Sequence, residues 1–326
     1  MSPNERIYRE QLEPHRRELH AHCYRMLGSV QDAEDAVQET RLRAWRGLDR
    51  FEARSSLRSW LYTIATNVCL RIIERRPARV LPIDYGPPAD PHSPLAPPLL
   101  ESIWIEPYPD ARVGLADGLA GPEARYEQRE AVELAFIAAL QHLPARQRAV
   151  LILRDVLGFS GAEVAEALDT TPASVYSLLQ RAHATLDHRL PELSQQVTLR
   201  SLGDQQLSEI VDRYVEAWAE NDVDAIVEML TEGATLAMPP TPNWFQGRDA
   251  IAAGMLAGPL NGKLSWRLLP TTANGQPAMG AYRLDSSGVY LPYGVTVLHL
   301  RGDRIDAITT FGDPAAPERF GLPARA

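Results

Sequence analysis

The stretch SGAEVAEALDTTPASVYSLLQRAHATL, Ser160 to Leu186, decides how the chain is read. Ser160 followed by Glu163 is the spacing at which a hydroxyl and a carboxylate each take one unbonded amide at a helix start, so a short helix is expected through Leu168. Asp169 and Thr170 are turn residues. Thr171 then suits a helix cap. Pro172, with its fixed backbone angle and no amide hydrogen to leave unbonded, suits the first position of a second helix. Val175, Leu178, Leu179, Ala182 and Leu186 follow at helical spacing. Two short helices joined by a tight turn, with the small Ala165 in the first, have the spacing of a helix-turn-helix, whose second helix enters the DNA major groove. A purely structural helical hairpin has the same spacing, so this stretch alone leaves both readings open.

Outward from it, residues 124–190 read as helical throughout. So does the segment from Gln11 to Arg76, in two apolar series. One runs through Ala36, Val37, Leu42, Ala44, Trp45 and Leu48, the other through Leu57, Trp60, Leu61, Ile64, Ala65, Val68 and Leu70. Gly47 to Ser56 is a polar break, and Pro77 stops the last helix. Between the helical blocks proline recurs from Pro82 to Pro109, a density no helix survives. Residues 77–123 are therefore expected to be an acidic, extended or disordered connector and a domain boundary. From Asp204 the pattern changes again. Helices at Asp204–Glu220, Val223–Leu230 and Arg248–Leu256 accompany strand-like runs at Ala234–Met238, Leu264–Thr271, Ala278–Leu284, Val289–Leu300 and Arg304–Phe311, an α+β domain with antiparallel strands.

The 326 residues allow two or three domains of roughly 150 residues each. Hydrophobic residues at 45% support buried cores and exclude global disorder. No apolar run approaches the ~18 residues of a membrane span. The charged N-terminus does not read as a secretory signal, and two cysteines cannot form a disulfide scaffold; a cytoplasmic protein is expected. The net charge of −9 argues against a chain that clings to bare DNA. Only residues 1–76 are basic, with 14 arginines against 11 acidic residues. DNA affinity must then be local, or borrowed from a partner that supplies the cations. No glycine-rich phosphate loop or zinc spacing appears, and His20, His22 and Cys23 diverge around a helix. No catalytic residue, metal or cofactor is expected.

YRMLGSVQDAEDAVQETRLRAW (24–45) with RFEARSSLRSWLYTIATNVCLRIIERR (50–76) resembles domain 2 of an extracytoplasmic-function (ECF) sigma factor of the sigma-70 family. Residues 139–186 resemble that family's domain 4. VDRYVEAWAENDVDAIVEMLTEGATLAMPP (211–240) and WFQGRDAI (244–251) resemble a SnoaL-like domain of the nuclear-transport-factor-2 superfamily. The near-replacement of lysine by arginine fits the actinobacterial groups that carry this extension. The implied architecture is two all-α sigma domains, 1–76 and 124–192, the second with a helix-turn-helix, then a cone-shaped α+β SnoaL-like domain at 204–326.

The resemblance implies core RNA polymerase and promoter DNA as partners, and by itself assigns no anti-sigma partner. On the helix holding Asp32, Asp35, Gln38, Glu39 and Leu42, positions three and four apart share a face, an acidic and apolar stripe. The resemblance makes it the polymerase-binding stripe; the competing reading is a solvated face with Trp45 in the core. Capture of a melted strand needs apolar walls, small polar groups and arginine. The resemblance puts Phe51, Ile64 and Asn67 around a flipped minus-ten base and Arg54, Arg58 and Arg71 on phosphates, although Ile64 also suits a core. On the second helix of the helix-turn-helix, Ser174, Tyr176, Ser177, Gln180 and Arg181 are the candidate minus-thirty-five contacts. Tyr176 and His183 replace the more basic residues usual there.

In the last domain, Trp218, Trp244, Phe245, Trp266, Tyr282 and His299 are candidate linings of a small-molecule pocket, though aromatics at such spacing also build cores. His299 and Asp306 are the only candidates for buried acid–base chemistry and form no convincing pair. Three function classes remain. The chain is read first as a transcription initiation factor tuned by its C-terminal domain. The others are a one-component ligand-sensing helix-turn-helix regulator and a SnoaL-like isomerase or cyclase fused to a DNA-binding module.

Overall fold

A computed structural model describes residues 12–48, 51, 56–100, 103–112, 130–191 and 193–326. The chain divides into two compact units, one from residues 1–79 and 111–191, the other from 80–110 and 192–326.

The first unit is helical. Helices α1 (Arg16–Leu27), α2 (Val30–Gly47) and α3 (Leu57–Ile73) pack on one another, joined by α4 (Leu134–Gln141), α5 (Ala145–Leu151), a π-helical turn at Ile152–Val156, α6 (Gly161–Ala167) and α7 (Pro172–Leu186). The starts are fixed locally. Ser29 accepts the Asp32 amide at 3.1 Å and Ser56 the Ser59 amide at 3.0 Å. The capping box forms as expected, with Ser160 N donating to Glu163 Oε2 at 2.8 Å and Glu163 N to Ser160 Oγ at 3.3 Å. Asp169, in the left-handed region at φ 49°, makes the turn, and Thr171 caps α7 ahead of Pro172.

The two blocks of helices share one interior. Arg148, 3% exposed, donates to the carbonyl of Met26, to Gln141 Oε1 at 2.6 Å and to the carbonyls of Gln141 and Leu143. Arg25 Nε donates to Ala131 O at 2.9 Å. Backbone carbonyls thus satisfy cations that burial would otherwise disfavour.

The second unit is α+β. Its sheet runs β2 (Trp244–Gln246), β1 (Leu230–Ala237), β6 (Arg304–Phe311), β5 (Tyr290–Arg301), β4 (Gln276–Leu284), β3 (Trp266–Ala273). All pairs are antiparallel except β1 with β6, which is parallel and departs from the expected run of antiparallel strands. Helices α8 (Gln195–Glu220), α9 (Val223–Glu228) and α10 (Arg248–Ala257) complete the layer, with Tyr214, Trp218, Ile226, Ile251 and Met255 in one core with Leu236, Leu268, Leu298 and Ile308. The expected start at Asp204 falls on a break inside α8, where Gly203 takes φ 75°; the unit itself begins earlier.

The largest departure concerns the proline-rich segment. Over residues 80–110 it is no free connector but belongs to the second unit. Ala89 N donates to Trp244 O at 2.8 Å, Trp244 Nε1 to Gly86 O at 2.8 Å and Leu99 N to Pro240 O at 2.9 Å. Further along, Tyr108 and Asn274 exchange two hydrogen bonds, each 2.8 Å, and Gly275 N donates to Asp110 Oδ1 at 2.8 Å. Trp104, Ile105 and Tyr108 are buried. Proline forbids a helix but leaves its neighbours' amides and carbonyls free, and the edge strand β2 presents matching groups. The expected connector residues 113–123 lie outside the described residues. No helix among the described residues is long and apolar enough to cross a membrane.

Candidate nucleic-acid interface and C-terminal cavity

On α7, Val175, Ala182 and Leu186 face inward, while Ser174, Tyr176, Ser177, Gln180 and Arg181 are all exposed. The five expected residues therefore share the solvent side of one capped helix. They offer hydroxyls and an amide that can donate to or accept from base edges, plus one guanidinium for phosphate. His183 is spent within the unit, its Nε2 2.6 Å from Asp155 Oδ2.

The stripe on α2 forms only in part. Asp35, Gln38 and Leu42 are exposed, and Glu39 is held by Arg43 at 2.6 Å. Asp32 leaves the stripe. It is buried, 6% exposed, and its carboxylate is taken by Arg79 at 2.8 Å and by Arg76. Trp45, 37% exposed, extends the stripe instead of entering the core.

Around α3, the Phe51 ring lies 4.9 Å from that of Trp60, Ile64 and Asn67 are half-buried, and Arg71 is exposed. Asn67 Nδ2 donates to Thr63 O at 2.9 Å and to Ala167 O, on the helix-turn-helix, at 3.3 Å. Arg58 is half-buried: it donates to Glu18 Oε2 at 3.0 Å and lies 4.9 Å from the Tyr62 ring and 5.0 Å from that of Phe159. Arg54 lies outside the described residues. Among the described residues no group of three or more His, Cys, Asp or Glu is placed to hold a metal ion.

In the second unit a cavity of about 210 Å³ opens between the sheet and α8. Trp218 and Trp266 line it, with Tyr293, Met238 and Met255. Trp244, Phe245, Tyr282 and His299 do not line it. Trp244 holds the proline-rich segment, and Phe245 packs in the core where a Cβ on Gly254 would meet its ring at 2.7 Å. Tyr282 lies on the opposite face of β4 from Ala281, its hydroxyl donating to Pro323 O at 2.7 Å. Two-residue alternation along the strands accounts for this. Burial lowers the pKa of His299. Sequence reasoning missed Leu95, Arg283, Thr296 and Thr310, all in the wall. Arg283 shares strand parity with Ala281 on β4, whereas Thr296 and Thr310 are brought to the wall by their pairing across β5 and β6.

Comparison with known proteins agrees with this layout. Residues 12–78 match the Sigma-70 region 2 family, residues 133–186 the Sigma-70, region 4 family, and residues 211–308 the SnoaL-like domain family. The chain is 44% identical over 313 residues to the ECF RNA polymerase sigma factor SigG of Mycobacterium tuberculosis, covering 95% of this chain and 82% of the relative. It is 27% identical to the sigma factor SigJ of the same organism over 94% of this chain and 90% of that protein. The crystal structure of Mycobacterium tuberculosis SigJ matches with a TM-score of 0.56 at 24% identity, over 97% of this chain and 99% of that one, a likeness of fold.

Proposed function

The chain belongs to the ECF RNA polymerase sigma factors, and from that premise we propose how its parts divide the work of an alternative sigma subunit. Core polymerase is held by Asp35, Gln38, Glu39 and Leu42 of α2. Phe51, Ile64 and Asn67 take a base of the melted minus-ten element, with Arg54, Arg58 and Arg71 on phosphates. Ser174, Tyr176, Ser177, Gln180 and Arg181 read the minus-thirty-five element, and the C-terminal domain tunes the outcome in the cytoplasm. The observation that carries this reading is the exposed, capped recognition helix, whose five polar residues share one side.

The arrangement of the helical unit supports a resting state. Asn67 bonds the backbone of Ala167, and Arg58 is paired with Glu18 beside the rings of Tyr62 and Phe159. Groups needed for the minus-ten element are thus partly spent against the helix-turn-helix, and the chain's net charge of −9 adds no long-range attraction to DNA. Core polymerase supplies the cationic grip and the two helical blocks separate on it. Run-off transcription with reconstituted core, alongside salt-dependent promoter binding with and without core, tests this. The expected result is defined start sites with core and weak, non-specific binding without it. Tight specific binding by the free chain contradicts the resting state, and the absence of both a complex and transcripts contradicts the sigma reading.

A further inference from the structure

The cavity of the C-terminal unit carries a chemistry of its own. Its wall is mostly ring and aliphatic carbon: Trp218 meets Trp266 edge-on at 5.7 Å, and Trp266 meets Tyr293 at 5.1 Å. At about 210 Å³ it exceeds the ~150 Å³ that suffices for benzene, leaving space for one ring and a short chain. Among the described residues no carboxylate or histidine lines it.

Two polar features break the apolar wall. Thr296 and Thr310, 2% and 6% exposed, share one hydrogen bond of 3.0 Å between their hydroxyls. Two hydroxyls carry two hydrogens and this bond uses one, so a buried O–H remains to donate to an acceptor in the cavity. At the rim, Arg283 is exposed and pairs with no described acidic residue, an unneutralised cation beside an apolar hole. The third feature is Leu95. It comes from the docked segment 80–110, is held there by Ala96 N donating to Asn243 Oδ1 at 2.7 Å, and completes the wall while remaining 47% exposed. An apolar body in the cavity would cover it.

We propose that this cavity binds a small monocarboxylic acid with a compact aromatic body bearing an oxygen acceptor. The ring lies among Trp218, Trp266 and Leu95, the carboxylate on Arg283 and the oxygen on the free threonine hydroxyl. Because the ligand buries Leu95, it binds the docked form of segment 80–110 more tightly than the undocked form, and so favours docking. The consequence for transcription rests on the reading of this domain as a regulator; the binding does not.

The test uses the full chain with 3-(4-hydroxyphenyl)propionate as probe and its amide as the uncharged control. For about twelve non-hydrogen atoms in such a site, calorimetry is expected to give a Kd of roughly 1 mM or tighter. The amide is expected to bind about fivefold more weakly, and Arg283→Met to abolish that preference. Ala281→Leu, which fills the hole, removes binding of both; should that variant not fold, Leu95→Asp at the exposed mouth weakens the acid selectively. Hydrogen exchange across 80–110 slows when the acid is bound. No binding to the natural chain, equal binding of acid and amide, or unchanged exchange on binding overturns the proposal. Binding that leaves promoter-specific transcription unchanged keeps the site and removes the regulatory reading, so the two fail separately.

Discussion

Asp32 illustrates how a side chain of apt type and spacing is diverted by its neighbours. Its carboxylate is the partner of Arg79, whose side chain is only 7% exposed, so Asp32→Ala takes a neutralising charge from a buried cation. A loss of about 3 kcal/mol is expected in urea unfolding, whereas Asp35→Ala leaves the unfolding midpoint unchanged and weakens core polymerase binding. Spacing could not separate the two, since Arg76 and Arg79 lie more than forty residues along the chain. His22 gives a second expectation. It is fully buried, its Nε2 2.9 Å from Thr66 Oγ1 and its ring 5.1 Å from that of Tyr62, and burial pushes its pKa down to about 3, with Arg25 and Arg58 acting in the same direction and Glu18 opposing. An unfolded histidine titrates near ~6.5, so below that pH the unfolded chain takes a proton the folded chain refuses. The contribution is therefore intact above ~6.5 and is lost as pH falls through the window toward 3. By pH 5 it amounts to about 2 kcal/mol, and His22→Gln flattens that part of the stability–pH curve.

At the scale of elements, what could be read from the sequence was what is encoded locally. The Ser160–Glu163 box, the Thr171–Pro172 start and strands β3 to β6 each depend on residues a few positions apart, and each forms near its expected bounds. Strand β2 was missed because three residues carry no periodicity; only its pairing with β1, from Ala237 opposite Trp244 to Thr235 opposite Gln246, defines it. The cavity wall was half legible, because an aromatic residue announces burial but not which face of a strand it occupies. Helix α7 allows fold and function to be separated by two substitutions. Thr171→Ala removes the hydroxyl that accepts the Ser174 amide at 3.2 Å and is expected to cost about 1 kcal/mol of stability. Gln180→Ala, on the exposed side, leaves the melting temperature alone and relaxes minus-thirty-five preference by about tenfold at one base pair, as read by start-site-resolved transcription on a promoter library.

At the scale of the whole molecule, segment 80–110 is the point at which sequence and fold part most widely, and the reason is physical. Proline density shows that a segment cannot be helical; it says nothing about whether an extended chain finds a surface. Here the surface is an exposed sheet edge and the Asn274–Gly275 turn, both far away in sequence. An extended chain rich in proline also loses less freedom on docking than a flexible one. The segment joins the two sigma regions in sequence, and under the proposed function it would leave the C-terminal unit wherever core polymerase takes it up. One stretch of backbone cannot lie on the polymerase and keep the amides of Ala89, Leu99 and Tyr108 on the C-terminal unit at once. If core takes the segment up in this way, engagement of core and docking of the segment compete and, by linkage, each weakens the other. Hydrogen exchange on the full chain is expected to show slow exchange at Ala89, Leu99 and Tyr108 when free and fast exchange at all three when core is bound. Trp244→Ala, which removes the donor to Gly86 and part of the docking surface, is expected to tighten core binding by severalfold without altering promoter choice. Protection that persists unchanged in the core complex would mean that the segment stays docked and that the C-terminal domain acts by another route.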